Sequence, residues 1–337
     1  MTAAAVGERK VVLDVRDLSA HLHTRWGVTR AVDGVSFQLR DGETLGIVGE
    51  SGSGKTMTAL ALLRLLPKPA GRIVGGEIWL DGEDLVRKSE ADMRKLRGRK
   101  ISMILQDPQT SLDPVFTVGN QLIEAMTENK ANGARASLRE RATEALRRVQ
   151  VAAPARRLHD YPHQMSGGMK QRVVGAIAMA SSPRVLIADE PTTALDVTIQ
   201  AQYLRLLKQI QAETGVSIIF ITHDFGVVAK VCDRAAVMYA GRIVEQGSVR
   251  DLFNHPVHPY TQALLASVPK VDERVDRLAS IEGQPPALFD LPAGCRFAPR
   301  CSHVMDQCRD GYPPAFQSAG EHLASCWLLK ESWPPSR

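Results

Sequence analysis

The chain has 337 residues, with 42 Lys and Arg against 37 Asp and Glu, a net charge of +5, 44% hydrophobic and 23% charged residues. This length allows two domains and a sizeable core, and the composition is that of a folded globular protein rather than a disordered or fibrous one. No run approaches the ~20 apolar residues of a spanning helix, residues 1–10 lack an apolar leader segment, and the mild basic excess contains no long basic run that would argue for nucleic acid. A cytosolic chain is expected, with any membrane part supplied by other subunits.

In chain order, short alternating strands are predicted at residues 11–15, 35–39 and 44–48, with Asp41-Gly42 marking a tight turn. The third strand delivers the chain into Gly49-Glu50-Ser51-Gly52-Ser53-Gly54-Lys55-Thr56, a complete G-x-x-x-x-G-K-[ST] loop, and a helical run over 55–66 leaves it. Glycines let backbone N–H groups wrap phosphate, and the helix N-terminus adds partial positive charge. Lys55 is expected to reach the β- and γ-phosphates and the Thr56 hydroxyl to bind Mg²⁺. A hairpin strand follows at 76–80 before Asp81-Gly82, then a strand at 101–105 that ends at Gln106. The Gln106 amide can contact Mg²⁺ or an attacking water, although a lone Gln in such a place is equally a solvated loop residue.

Asp107-Pro108 and Asp113-Pro114 break the pattern, and helices at 118–128 and 136–151 follow, so residues 107–165 read as an all-helical insertion in an α/β core. Ser166-Gly167-Gly168 then precedes a helix at 168–180, with Ser166 as N-cap. Hydroxyl, amides and helix dipole make a second anion site; taken alone the turn is also that of a simply capped helix. A buried strand at 184–188 ends in Asp189 and Glu190. Strand ends of open sheets are where ligands sit. Asp189 would hold Mg²⁺ through water, and Glu190 would polarise a water aimed at the γ-phosphate. A helix at 199–213 and a strand at 216–222 lead to His223, placed to donate to the γ-phosphate; residues 194–196 are placed to contact a partner subunit. Strand–helix alternation predicts a mostly parallel sheet covered by helices. Short strands return around Ala240-Gly241. From 251 prolines multiply and periodicity fades, which puts a domain boundary near 250.

Cys295, Cys301, Cys308 and Cys326 cluster in the tail with spacing C-x5-C-x6-C-x17-C, while Cys232 stands apart as a packing residue. In a reducing compartment four thiolates suit tetrahedral Zn²⁺ or a four-cysteine iron–sulfur cluster better than disulfides. His255 and His258, flanked by prolines, read as loop residues rather than ligands.

These motifs, in this order over residues 11–250, resemble an ATP-binding cassette (ABC) ATPase. The resemblance implies an ABC-type P-loop core with an antiparallel β subdomain and a helical insertion, followed by a small Cys-containing domain at 251–337. It implies Gly49 to Thr56 as Walker A, Gln106 as Q-loop, Ser166 to Met169 as signature, Asp189 as Walker B, Glu190 as catalytic glutamate, 194–196 as D-loop and His223 as switch histidine. Met169 stands where the usual signature has Gln, but the phosphate-facing Ser-Gly-Gly is intact. Trp26, followed by Gly27, is the candidate for stacking on adenine. Tyr161 to Gln164, the run 189–200, His255-Pro256-Val257-His258-Pro259-Tyr260-Thr261 and the Gly294 to Cys301 segment resemble the dipeptide/oligopeptide importer subfamily, with nickel importers sharing much of the pattern. That likeness implies Mg²⁺ and ATP, a second ABC ATPase subunit (a heterodimer), two transmembrane permease subunits, an extracytoplasmic peptide-binding protein, a peripheral place on the cytoplasmic face of the membrane, and a [4Fe-4S] cluster on the four cysteines, with Zn²⁺ as the alternative. A soluble ABC ATPase acting on ribosomes or DNA fits less well. There is one cassette, and the insertion is too short for a coiled coil and lacks sustained heptads. A non-hydrolysing regulatory subunit is at odds with intact Lys55, Asp189, Glu190 and His223.

Overall fold

The computed structural model describes residues 9–127, 135–193, 195–268 and 280–330; the predicted helix end at Glu128 and Ala194 of the 194–196 segment lie outside the described residues. Strands are β1 (Val11–Thr24), β2 (Gly27–Arg40), β3 (Thr44–Val48), β4 (Gly71–Leu80), β5 (Glu83–Asp84) and β6 (Ile101–Ile104). They continue as β7 (Val185–Asp189), β8 (Ser217–Thr222), β9 (Arg234–Tyr239), β10 (Arg242–Ser248), β11 (Phe316–Ala319) and β12 (His322–Ala324). Contacts divide the chain into two units, one built on residues 80–221 with 39–43 and the start of the chain, the other on 14–38, 44–79 and 222–337.

In the first unit β6, β7 and β8 run parallel, with Ile101 opposite Val185 and Ala188 opposite Phe220. Every residue of β7 and β8 is buried, the continuous apolar run expected of parallel strands covered on both faces. The helices are set by local chemistry. Asp196 caps Val197–Thr214 by accepting from the N–H groups of Thr198 and Ile199, and Gly215 ends it in the left-handed region at φ 70°. The insertion is helical over Val118–Thr127 and Arg135–Arg148, as the sequence predicts.

In the second unit β3 pairs parallel with β9, and β9, β10, β12 and β11 continue as antiparallel neighbours; β2, β1 and β4 are neighbours in a separate sheet. The predicted 11–15 and 35–39 strands are the ends of much longer ones. Polar His21, His23 and Thr24 dilute the alternation, while cross-strand pairing carries the ladder to the turn at Arg25-Trp26. Regular structure nevertheless continues past 251, in the helices Val249–Asn254 and Pro259–Ala266 and strands β11 and β12. Pro259 is tolerated at the first helical position, where its missing N–H is an orphan anyway.

His258 is likewise no open loop residue. It is 1% exposed and caps the helix, its Nδ1 accepting the Tyr260 N–H at 3.0 Å. Burial pushes its pKa down from 6.5 to about 4. The folded state therefore binds fewer protons than the unfolded chain below pH 6.5. Its contribution is fully present above pH 6.5 and is lost as the pH falls toward about 4. Unfolding free energy of the full chain should drop by about 3 kcal/mol across that window, and urea titrations should show a flatter profile for His258→Gln. A profile unchanged by that substitution would remove His258 from the acid response.

Candidate ATP-hydrolysis site

The second unit holds the phosphate loop. All five residues of β3 are buried, so the chain enters the loop from a fixed base. Gly54 adopts φ 106° at the N-cap of Lys55–Leu62, and a Cβ there would lie 2.2 Å from the Ala31 carbonyl oxygen. A Cβ on Gly49 would lie 2.1 Å from the Met238 carbonyl oxygen. These two positions accept only glycine. The Lys55 side chain is buried and its Nζ donates to the carbonyls of Gly49 and Glu50 at 2.8 and 2.9 Å. The ammonium thus lies along the inside of the loop, where the positive charge suits phosphate oxygens. Glu50 is turned outward, into contacts with Tyr260 and Arg300. Ser53 Oγ is buried without a hydrogen-bond partner among the described residues, and Ser51, Gly52 and Thr56 complete the cradle, with nothing within 4 Å of a Cβ on Gly52. Trp26 sits at the tip of the β1–β2 hairpin with 76% of its surface exposed and the Arg25 guanidinium 4.6 Å above its ring. His223 follows β8 as an exposed residue beside Asp224, which caps Phe225–Val231.

The first unit holds the acidic pair. Asp189 ends β7 and is 1% exposed. Glu190 stands just beyond it at φ 44°, a left-handed conformation costly for a residue with a side chain, and its N–H donates to the Ile221 carbonyl at 2.9 Å. Gln106 Nε2 and Thr193 Oγ1 each donate to Glu190 Oε2 at 3.0 Å. Gln106 and Glu190 are therefore brought together as a pair, and Thr193 is a site residue that the sequence reading missed. Its signal was available, three places after the glutamate in a Thr-Thr pair. Ser166 Oγ accepts the Met169 N–H at 3.4 Å and caps Gly167–Met179. A Cβ on Gly167 would meet nothing within 4 Å, so this turn presents an open backbone face, whereas one on Gly168 would lie 3.0 Å from Ile199.

The four tail cysteines line one cavity together with His258, Phe297, His303 and Trp327. Burial raises the Cys295 and Cys301 thiols and pushes Cys326 up to about 12. Among the described residues no group of three or more His, Cys, Asp or Glu side chains stands in position to hold a metal ion. The four sulfurs share that cavity without standing as a preassembled ligand set.

A phosphate loop on a buried strand, together with a second buried strand that ends in an acidic pair whose Glu190 is held by Gln106 and Thr193, defines a P-loop nucleoside-triphosphate hydrolase. The family described as ABC transporter matches residues 32–193, and the oligopeptide/dipeptide transporter C-terminal region matches residues 244–308. A probable peptide ABC transporter ATP-binding protein of Sinorhizobium fredii is 53% identical over 95% of this chain and 96% of its own. The dipeptide transport ATP-binding protein DppD of Bacillus subtilis is 50% identical over 94% of each chain. Among solved structures, a dimeric ATP-binding cassette in a post-hydrolysis state with ADP and phosphate aligns at TM-score 0.63 and 26% identity, covering 71% of this chain and 99% of that one. The chain belongs to the ABC transporter family, within the ATP-binding proteins that carry the oligopeptide/dipeptide transporter C-terminal region.

Proposed function

We propose that this chain is the ATP-hydrolysing subunit that powers import of dipeptides or oligopeptides. The observation that carries it is Glu190, fixed by Gln106 and Thr193 at the end of a buried strand, in a chain about half identical to peptide-transport ATP-binding proteins along nearly its whole length. The relatives' names favour peptides over nickel, and a transporter over a soluble non-transport ATPase.

Glu190 accepts a proton from water as the water oxygen bonds to the γ-phosphorus. The bond from the γ-phosphorus to the β–γ bridging oxygen breaks, and ADP leaves with the electron pair. Lys55 offsets charge on the transferred group, His223 donates to it, and Gln106 orients the glutamate and the water. The Thr56 hydroxyl, Gln106 and the Asp189 carboxyl offer the hard oxygen donors that Mg²⁺ prefers, and Mg²⁺ there would neutralise phosphate charge. Trp26 offers its exposed ring to adenine, on the face away from Arg25. The Ser166-Gly167-Gly168 turn covers the γ-phosphate on a second ABC ATPase subunit, residues 194–196 touch that subunit, and its own turn covers the triphosphate on Lys55.

The domain division we propose is a nucleotide-binding domain to about residue 250, with the helical subdomain 107–165 gripping two transmembrane permease subunits, and a C-terminal domain over 251–337. An extracytoplasmic peptide-binding protein delivers the solute. Among the described residues no helix is long and apolar enough to cross a membrane; the proposed place is that of a peripheral subunit on the cytoplasmic face. Cys295, Cys301, Cys308 and Cys326 would hold a [4Fe-4S] cluster, or Zn²⁺ as alternative, as a structural cross-link; their common cavity supports this reading. The whole reading is tested on the assembled complex in proteoliposomes. ATP hydrolysis should rise when the binding protein is loaded with peptide, and hydrolysis indifferent to peptide would contradict it.

A further inference from the structure

The phosphate loop is gripped by residues that none of the nucleotide motifs contains. Arg300 pairs bidentately with Glu50, Nη1 to Oε2 at 2.7 Å and Nη2 to Oε1 at 3.0 Å. The Glu50 backbone N–H donates to the Tyr260 hydroxyl at 3.0 Å. Arg300 is itself immobilised: Nε donates to the Glu282 carbonyl at 3.0 Å, Nη1 also to the Tyr239 hydroxyl at 3.3 Å, and Nη2 also to the Ile281 carbonyl at 3.3 Å. Those five bonds use all five N–H donors of a guanidinium. Its side chain is only 3% exposed against 26% for Glu50, so the guanidinium end of the pair is shielded from water. Tyr260 is fully buried in the core that also contains Val48, the last residue of β3. Its ring lies 4.5 Å from Tyr239 and 5.3 Å from Phe297.

We propose that Arg300 and Tyr260 are positioning residues for the phosphate loop, so that the C-terminal segment sets affinity for ATP rather than the rate of its hydrolysis. Glu50 is the first residue after the fixed strand–glycine junction. Anchored by side chain and backbone on the outer side, it cannot collapse into the space the phosphates take, and the following amides keep their inward direction. Lys cannot replace Arg300, because an ammonium lacks the fork that spans two carboxylate oxygens. The inference rests on the phosphate-loop reading above.

The test is calorimetric titration of the full chain with ATP in EDTA, alongside turnover of the assembled complex at saturating ATP. Arg300→Gln and Glu50→Gln should each weaken ATP binding by roughly tenfold, the double variant should be no weaker than either, and turnover of Arg300→Gln at saturating ATP should stay within about twofold. Arg300→Lys should fall between. Glu50→Gln reports the same contact away from the cysteines, so it decides the matter even if Arg300→Gln folds poorly. A folded Glu50→Gln chain with unchanged affinity, or single effects that multiply in the double variant, would overturn the proposal while leaving the ATPase reading intact. A wild-type chain that does not bind ATP would overturn both.

Discussion

Glu190→Gln is expected to bind ATP as the wild type does and to lose hydrolysis by about 10²–10⁴-fold, the usual contribution of a positioned general base. The amide keeps the size and one acceptor oxygen, so the hydrogen bonds from Gln106 and Thr193 at 3.0 Å survive. What it loses is the capacity to take the water's proton. The left-handed backbone at Glu190, tied to the Ile221 carbonyl, keeps the residue in place whichever side chain it carries. Single-turnover hydrolysis and nucleotide retention on the assembled complex separate binding from chemistry. Wild-type turnover in this variant would remove Glu190 from the role.

Glu245→Ala should destabilise the chain by about 3–5 kcal/mol, the range for stripping a buried polar group from its partners. The Glu245 side chain is 0% exposed. Its Oε1 accepts from the Val257 N–H at 2.8 Å and meets His322 Nε2 at 2.7 Å, and its Oε2 accepts the His258 N–H at 3.0 Å. The carboxyl thus ties β10 to β12 and to the turn before Pro259–Ala266. Removing it leaves two N–H groups and an imidazole without their partner. Glu245→Gln keeps one acceptor oxygen and should cost about half as much. Equilibrium urea unfolding of the full chain measures both, and a cost below about 1 kcal/mol for alanine would show that these bonds are replaced by others.

The phosphate loop, the Ser-Gly-Gly turn and the acidic pair were legible because their chemistry is local: donors and charges sit within eight residues of one another on strand–turn–helix patterns. The Gln106–Glu190 contact joins residues 84 apart, and Glu50 with Arg300 joins residues 250 apart. No periodicity encodes such pairs; they follow from strand pairing and from which core each segment enters. The helix Pro259–Ala266 was missed for the opposite reason. Prolines read as breaks, yet one of them occupies the first helical position behind a buried His cap. The length of β1 and β2 was missed because ladder pairing, not side-chain alternation, sustains their polar halves. The four tail cysteines, gathered by their spacing into a candidate metal site, line one cavity, but spacing does not encode whether their sulfurs converge on a metal.

The most direct measurement is the structure of the assembled complex carrying Glu190→Gln and trapped with ATP and Mg²⁺. Triphosphate should lie against Lys55 with a second subunit's Ser-Gly-Gly turn closing over its γ-phosphorus, and Ser166 should face the nucleotide held by that subunit. Nucleotide enclosed by one chain alone, with Ser166 turned away from any phosphate, would contradict the account.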